Sequence, residues 1–415
     1  MADYDVTVIG GGPAGLAASL SANEKGKKVL LIERAARLGG ILNQCIHDGF
    51  GLIRFGEKLS GCEYANRYVH MVEETDVEVS LLTFVTRIEK RDGIFYLSLV
   101  SREGVKTVST KTIVFSTGCR ERSAKQVGIH GTRPAGVYTA GTAQYYINIL
   151  GERPAQKCVI LGSGDIGLIM ARRLTLEGAE VLGVYEVKPT PSGLSRNIAQ
   201  CLDDFDIPLH VSHTVTRLFG NDRLEAVEIA KVDDKMQPIA GTEEIVECDT
   251  LILSVGLIPE NELAESLGVE MDPRAKGPIC DQSYETLKDG IFICGNALHV
   301  NDLVDYVSES GKEAGVAAAE YCGKERELVE LTPGKDMLYA VPQRLDVNSD
   351  LSKTVVFFRS RDEREKTQME VLVNGECIFK KRYAKLKPPE MERIELDLSS
   401  VKAGDKVNLE LREVK

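Results

Sequence analysis

Nowhere in the 415 residues does an apolar run reach eighteen, so no segment could cross a bilayer as a helix. Basic residues are in deficit: 51 lysines and arginines stand against 63 aspartates and glutamates, a formal charge of −12. A surface of that sign repels phosphates, and no basic patch with interleaved aromatics offsets it, which excludes a general nucleic-acid binder. The ten cysteines are scattered, with no CxxC and no Cys/His cluster at metal-ligand spacing. Most of them are expected to be compact buried hydrophobes of a reducing compartment, Cys158, Cys248 and Cys294 above all, because these sit in or beside apolar strand-like runs. The first strand begins within five residues of Met1, so no secretory leader is expected and the expected location is cytoplasmic.

What is present is a glycine turn between two apolar runs. Val6, Val8 and Ile9 lead into Gly10-Gly-Gly-Pro-Ala-Gly15, a helix-forming segment runs to Lys25, and a second run spans Val29 to Ile32. The spacing Gly10, Gly12, Gly15 permits a tight turn, close approach of a pyrophosphate to the backbone, and close packing of helix on strand. The helix amino terminus then faces the phosphates. Glu33, eighteen residues after Gly15, ends the second strand where an acid accepts hydrogen bonds from a ribose.

This pattern occurs twice. Lys157 to Leu161 is a second strand, Gly162-Ser-Gly-Asp-Ile-Gly167 a second turn, Leu168 to Glu177 a helix, and Val181 to Tyr185 a strand ending at Glu186. Thr112 to Ser116 followed by Thr117-Gly118 is echoed by Thr250 to Ser254 followed by Val255-Gly256. Two such units imply two dinucleotides. Between the first unit's motifs, Val77 to Ile88 and Gly93 to Val100 alternate like antiparallel strands about an Arg91-Asp92-Gly93 turn. Ile291-Phe-Ile-Cys-Gly-Asn296 and a small-residue helix through Gly311, Gly315 and Ala317 return to the first unit. The expected division is therefore residues 1–120 and 257–330 for the first dinucleotide domain, 121–256 for the second, and 331–415 for a C-terminal β-rich domain. Leu331-Thr-Pro-Gly334 reads as a linker, and Asn374-Gly375 as a type I′ hairpin turn among short strands. The fold class expected is α/β, with two doubly wound domains and a small β domain suited to docking.

Together these residues resemble the flavoproteins with two dinucleotide-binding domains, the superfamily of pyridine nucleotide-disulfide oxidoreductases. The resemblance covers about Asp5 to Gly323. It implies FAD at Gly10, Gly12, Pro13, Ala14, Gly15 and Glu33, with Arg34, Gly40, Asn43, Val85, Thr117 and Gly118 beside it. It implies NAD at Gly162, Gly164, Asp165, Ile166, Gly167, Glu186 and Gly256. Glu186 would accept ribose hydroxyls and repel a 2′-phosphate, with Lys188 partly offsetting that repulsion, so NADH is expected over NADPH. Gly295 and Asn296 stand where the family usually has Gly-Asp for the flavin chain; Asn still bonds a hydroxyl but carries no charge. Amides near Val307, at a helix start, would face the flavin ring, while Asp302 and Asp305 read as ordinary first-turn acids. Asn43-Gln-Cys-Ile-His-Asp-Gly-Phe-Gly51, Gly131-Thr-Arg-Pro-Ala-Gly136 and Gly295-Asn-Ala-Leu-His299 look like a bacterial branch associated with anaerobic-type glycerol-3-phosphate dehydrogenases.

The departure from the family is the missing dithiol. Cys45 stands alone, with Cys62 seventeen positions on, so disulfide reduction by an internal dithiol is not expected. The function expected is an FAD enzyme that exchanges a hydride with NAD(H) and electrons with a partner dehydrogenase subunit or small acceptor, the partner docking through the C-terminal β domain in a homo- or hetero-oligomer. The alternatives are an NADH oxidase, peroxidase or sulfur-compound reductase using Cys45, its pKa lowered by His47 or a helix amino terminus, and a flavin-bearing assembly subunit without catalysis.

Overall fold

The computed structural model describes residues 2–414. The chain divides into two compact units, Met1–Cys119 with Pro259–Lys415, and Arg120–Ile258.

In the first unit β1 (Tyr4–Ile9) and β2 (Val29–Ile32) pair in parallel, Val6 opposite Val29 and Ile9 opposite Ile32, with α1 (Pro13–Glu24) as the crossover. Their near-continuous apolar sequences suit strands covered on both faces. Gly104–Phe115 lies on the other side of β1, Val8 opposite Val114. The chain leaves this sheet at Phe115 and returns at Ile291–Ile293, which pairs in parallel with the strand it left, Phe292 opposite Val114.

The run expected as one strand from Val77 to Ile88 is two. Glu78–Ser80 joins β2 in parallel, whereas Phe84–Arg91 pairs antiparallel with Ile94–Ser101. Leu82 breaks the run with φ 49°, and the Leu82 and Thr83 amides donate to Ala35 O and Glu33 O at 3.1 and 3.0 Å. Tertiary hydrogen bonds at the end of β2 thus override an uninterrupted alternation.

Over the sheet, α1 packs against the return helix Val304–Glu320 at backbone distance. A Cβ on Gly311 would overlap Ala14 O, and one on Gly315 would overlap Ala18 O. Ser21 Oγ donates to Lys312 O at 2.8 Å across the same contact. No other residue type fits at 311 or 315 without separating the helices.

The second unit holds a parallel sheet in the order Val137–Thr139, Thr250–Leu253, Lys157–Leu161, Glu180–Glu186, Leu209–Val211, the doubly wound pattern again. Helix Asp165–Leu176 crosses between the central pair. Cys158 and Cys248 are buried here, and Cys294 in the first unit.

The C-terminal segment is a sandwich of two sheets over a core that includes Leu331, Met337, Phe358, Met369, Val371 and Leu409. The linker expected at Leu331–Gly334 is not one. Leu328–Pro333 is a strand between Arg344–Asp346 and Val407–Glu413. Pro333 is tolerated because it ends the strand, and the Gly334 amide then donates to Leu409 O at 2.8 Å. The hairpin at Asn374-Gly375 has positive φ at both residues, 52° and 86°, as a type I′ turn requires.

Gly311→Val should abolish cooperative folding or cost more than about 3 kcal/mol, the upper range for overpacking. A thermal melt equal to that of the parent would show that the helix contact is not tight.

Candidate functional site

The two glycine turns have one geometry. A Cβ on Gly10 would overlap Ser116 O, and one on Gly15 would overlap Gly10 O; at the second turn Gly162 meets Ser254 O and Gly167 meets Gly162 O in the same way. First and third glycines are therefore demanded by the protein itself. The middle ones are not. A Cβ on Gly12 would find nothing nearer than Gly40 Cα at 4.0 Å, and one on Gly164 nothing nearer than Ser254 Oγ at 3.8 Å. Space left at only the middle glycine is what a ligand reaching the backbone needs.

Each turn is braced by the acid that ends the next strand. The Gly11 and Ala35 amides donate to the two Glu33 oxygens at 2.6 and 2.7 Å. At the second turn the Ser163 and Lys188 amides donate to Glu186 at 3.1 and 3.0 Å, and Ser163 Oγ adds a bond at 2.5 Å. Glu33 and Glu186 are both buried. A carboxylate has about four acceptor sites, so capacity remains for a ribose hydroxyl.

Around the first turn, Pro13 occupies the first position of α1, Gly12 caps it without a side-chain bond, and its first turn carries no acid. The amides are thus uncontested by side chains, the electrostatic condition for holding a phosphate. Gly40 lies against Gly12, and Asn43 Nδ2 donates to Leu38 O at 2.8 Å, holding the Gly39-Gly40 bend. Val85 follows the Thr83 contact to Glu33. Arg34, by contrast, points outward to Glu260, Nη1 to Oε1 2.9 Å. Thr117 Oγ1 donates to Glu260 O at 2.6 Å and the Glu260 amide to Gly118 O at 3.0 Å. The Gly295 amide donates to Ser310 Oγ at 3.0 Å, and Ala14 stands beside Gly295. Asn296 Oδ1 accepts from the Asn301 amide at 3.0 Å. Val307 is one turn inside the return helix and its amide donates to Leu303 O at 3.4 Å, so the helix start belongs to Val304 and Asp305.

At the second turn Asp165 Oδ1 accepts from the Leu194 amide at 2.9 Å and Asn197 Nδ2 at 2.7 Å, tying down the 192–197 segment, while Ile166 is exposed. Gly256 O accepts from the Arg122 amide at 3.0 Å.

Residues 4–325 match the model of the pyridine nucleotide-disulphide oxidoreductase family. The chain belongs to that family. It is 29% identical over 281 residues to hydrogen cyanide synthase subunit HcnB of Pseudomonas protegens, an alignment covering 63% of this chain and 58% of that one. The chain thus matches less than two thirds of that relative's length. It is 23% identical over 320 residues to ferredoxin–NADP reductase 2 of Bacillus velezensis, covering 76% of this chain and 90% of the reductase. The crystal structure of T. acidophilum thioredoxin reductase superposes with a TM-score of 0.63 at 21% identity, over 77% of this chain and 98% of that one, a likeness of fold. FAD and NAD(P)H are the cofactor pair of the family, and the two braced turns with open middle glycines fit it. No helix among the described residues is long and apolar enough to cross a membrane.

In this member of the pyridine nucleotide-disulphide oxidoreductases Cys45 is not alone. The Gly61 amide donates to Cys45 O at 2.9 Å, and Cys62 Sγ reaches the carbonyls of Asn43 and Cys45 at 3.2 and 3.8 Å. Helix Gly61–Glu73 carries Cys62 onto the bend that sequence separation had seemed to place elsewhere. Nor is the Cys45 thiol activated. Burial, and then Cys62, push its pKa up to about 12. His47 lies against Phe50, ring centroids 5.0 Å apart, with Nδ1 facing Asp48 O. Burial outweighs the activation that the Cys45 alternative would need.

Sequence reading passed over Ser116 and Ser254, which close the two turns from matching positions; their signal was the residue before Thr117-Gly118 and before Val255-Gly256. It also passed over Asn261, whose Nδ2 donates to Ala297 O at 2.7 Å while its buried Oδ1 finds no donor among the described residues. A lone Asn after a proline-acid pair carries no such signal.

Gly12→Ala should fold normally yet lower FAD affinity by about two orders of magnitude, about 3 kcal/mol, whereas Gly15→Ala should not fold. Circular dichroism with flavin absorbance checks this, and full flavin content in folded Gly12→Ala would misplace the site. For Cys45, raising the pKa removes thiolate at neutral pH, so alkylation should be slow at pH 7 and accelerate as pH rises toward 12. Exposed Cys322 should label first in a mass-spectrometric time course; fast labelling of Cys45 at pH 7 would contradict its raised pKa.

Proposed function

We propose that this chain moves reducing equivalents between NAD(H) and a partner dehydrogenase subunit or small acceptor through FAD, without an internal CxxC or CxxxxC dithiol. The observation that carries this reading is the duplicated braced turn, one copy in each unit, each with ligand space at its middle glycine. Bound FAD supplies hydride exchange with a nicotinamide and onward electron transfer. The protein's part is to hold and orient. Gly12 and the uncapped start of α1 receive the pyrophosphate, and Glu33 orients the adenosine ribose while bracing the turn. Thr117, Gly118 and Asn296 line the return of the chain toward the flavin side, and Asn261 offers its unpartnered oxygen to a ligand donor. Gly164 and Glu186 do the corresponding work for the nicotinamide dinucleotide. No proton-transfer residue is required for a hydride step.

The coenzyme we assign is NADH. A buried carboxylate at Glu186, held by two amides and a hydroxyl, occupies the position where a 2′-phosphate would have to be accommodated. A protein partner is supported by HcnB being a synthase subunit. We place its docking on the C-terminal sandwich, where strand Glu376–Leu386 ends its sheet and exposes Arg382, while Lys380 and Lys385 pair with Glu370 and Glu363 at 3.4 and 2.5 Å. The branch resemblance names a glycerol-3-phosphate dehydrogenase as the kind of partner to seek. The Cys45 redox alternative loses support from its raised pKa.

Anaerobic stopped-flow mixing of flavin-loaded protein with each coenzyme tests the reading. NADH should bleach the flavin about tenfold faster than NADPH at equal concentration, about 1.4 kcal/mol of discrimination, and Cys45→Ser should leave the rate unchanged. Faster bleaching by NADPH would overturn the coenzyme assignment; no bleaching by either would leave the assembly-subunit reading in its place.

A further inference from the structure

The segment from Gly295 to Glu309 links the Ile291–Ile293 strand to the return helix, and it is gripped from three sides. Beneath it, Gly295 touches Ala14 of α1. From the side of helix Gly61–Glu73, the Arg54 amide donates to Asp305 Oδ1 at 2.9 Å and Tyr64 OH to Ser308 Oγ at 2.8 Å. From the third side comes the C-terminal sandwich. Arg393 forms a two-pronged bond to Glu309, at 2.5 and 3.1 Å, and lies over the Tyr306 ring. His299, 2% exposed, sits between Tyr339 and Phe357, centroids 5.7 and 5.2 Å away.

The centre of that third grip is Arg359, on strand Thr354–Ser360 and only 12% exposed. Its guanidinium donates to Val300 O at 3.1 Å, to both oxygens of Asp302, to Pro389 O, and to Tyr339 OH at 3.0 Å. Asp302 Oδ2 also accepts the Met391 amide at 2.6 Å. Five donors of one planar group thus join two strands and a loop of the sandwich to the backbone immediately before the return helix.

An ion pair whose carboxylate remains exposed to solvent is a poor source of stability, because water screens the attraction. What a planar fork supplies is fixed geometry. The loop it fixes, Val300 to Asp302, is joined to Asn296 through the Asn301 amide and ends two residues before the first turn of the return helix.

We propose that Arg359 is a positioning residue for the flavin: the C-terminal sandwich acts through it to hold Asn296 and the start of the return helix in a ligand-ready arrangement. This rests on the reading that places FAD at Gly12, Asn296 and that helix start. Donors held in advance favour most the state in which charge accumulates on the ligand, here the reduced anionic ring. Loosening them should weaken binding of reduced flavin more than of oxidised flavin.

The test uses the full-length flavoprotein and its reconstituted apoprotein. Arg359→Gln should raise the FAD dissociation constant about tenfold. A further tenfold preference lost by the reduced form lowers the two-electron midpoint potential by about 30 mV. Hydrogen exchange of peptides covering 296–307 should accelerate in the apoprotein. Arg359→Lys keeps the charge without the fork and should restore less than half of the potential shift, whereas Arg361→Gln, on the neighbouring exposed guanidinium, should change nothing. If Arg359→Gln does not fold, Asp302→Asn and Arg359→Lys decide the matter by the same three readouts. Folded variants with parental affinity, potential and exchange would overturn the inference. Should Gly12→Ala also retain flavin, the placement of the site fails; should Gly12→Ala lose flavin while the Arg359 variants are silent, only the positioning role fails.

Discussion

The backbone contact between α1 and the return helix is the constraint on which the first unit depends. Two helices can touch main chain to main chain only where neither carries a Cβ in the way, and Gly311 and Gly315 supply that against Ala14 and Ala18. The consequence reaches beyond packing. A helix drawn that close sets its own first turn, and the Gly295-Asn296 bend before it, beside the glycine turn that begins α1. Segments nearly three hundred residues apart in the chain thereby share one site. The strand pairing of Ile291–Ile293 on Gly104–Phe115 supplies the other half of the alignment, because a parallel register leaves no freedom to slide.

The acids that end the second strand of each unit illustrate how one side chain braces a turn and keeps acceptor capacity to spare. Glu33 and Glu186 take their bonds from the turn amides and from the amide two residues on. A carboxyl group in so little solvent needs several donors to offset desolvation, and the turn provides them. The turn in turn is held in the shape that leaves its middle glycine open. On the proposed placement of the two dinucleotides, removing such an acid would disturb both ribose recognition and the phosphate cradle, so a loss of binding alone would not separate the two roles.

The cysteines and the sandwich show the opposite relation, in which burial overrules chemistry. A thiol near a histidine in sequence suggests activation, yet Cys45 folds into apolar surroundings next to Cys62 and its proton is held more tightly. His299 behaves alike: burial, with Arg359 nearby, lowers its pKa to about 3 and keeps the ring neutral between two aromatics. Its neutrality lets the sandwich lie on the loop without an uncompensated charge at the seam.

The paired glycine turns, the strands on either side of them, the terminal acids and the return at Ile293-Cys-Gly-Asn296 were all legible in the sequence, because each is a local requirement written at fixed spacing. So was the hairpin at Asn374-Gly375, where left-handed backbone restricts the residue types. Long-range contact decided the rest. The split of Val77 to Ile88 follows from amides captured by the end of β2, and the strand at Leu328–Pro333 follows from two partners, one of them some eighty residues downstream. The approach of Cys62 to Cys45, the unpartnered oxygen of Asn261 and the reach of Arg359 to Val300 have no periodicity and no motif. They arise where segments apart in the sequence meet, and only the tertiary structure could bring them together.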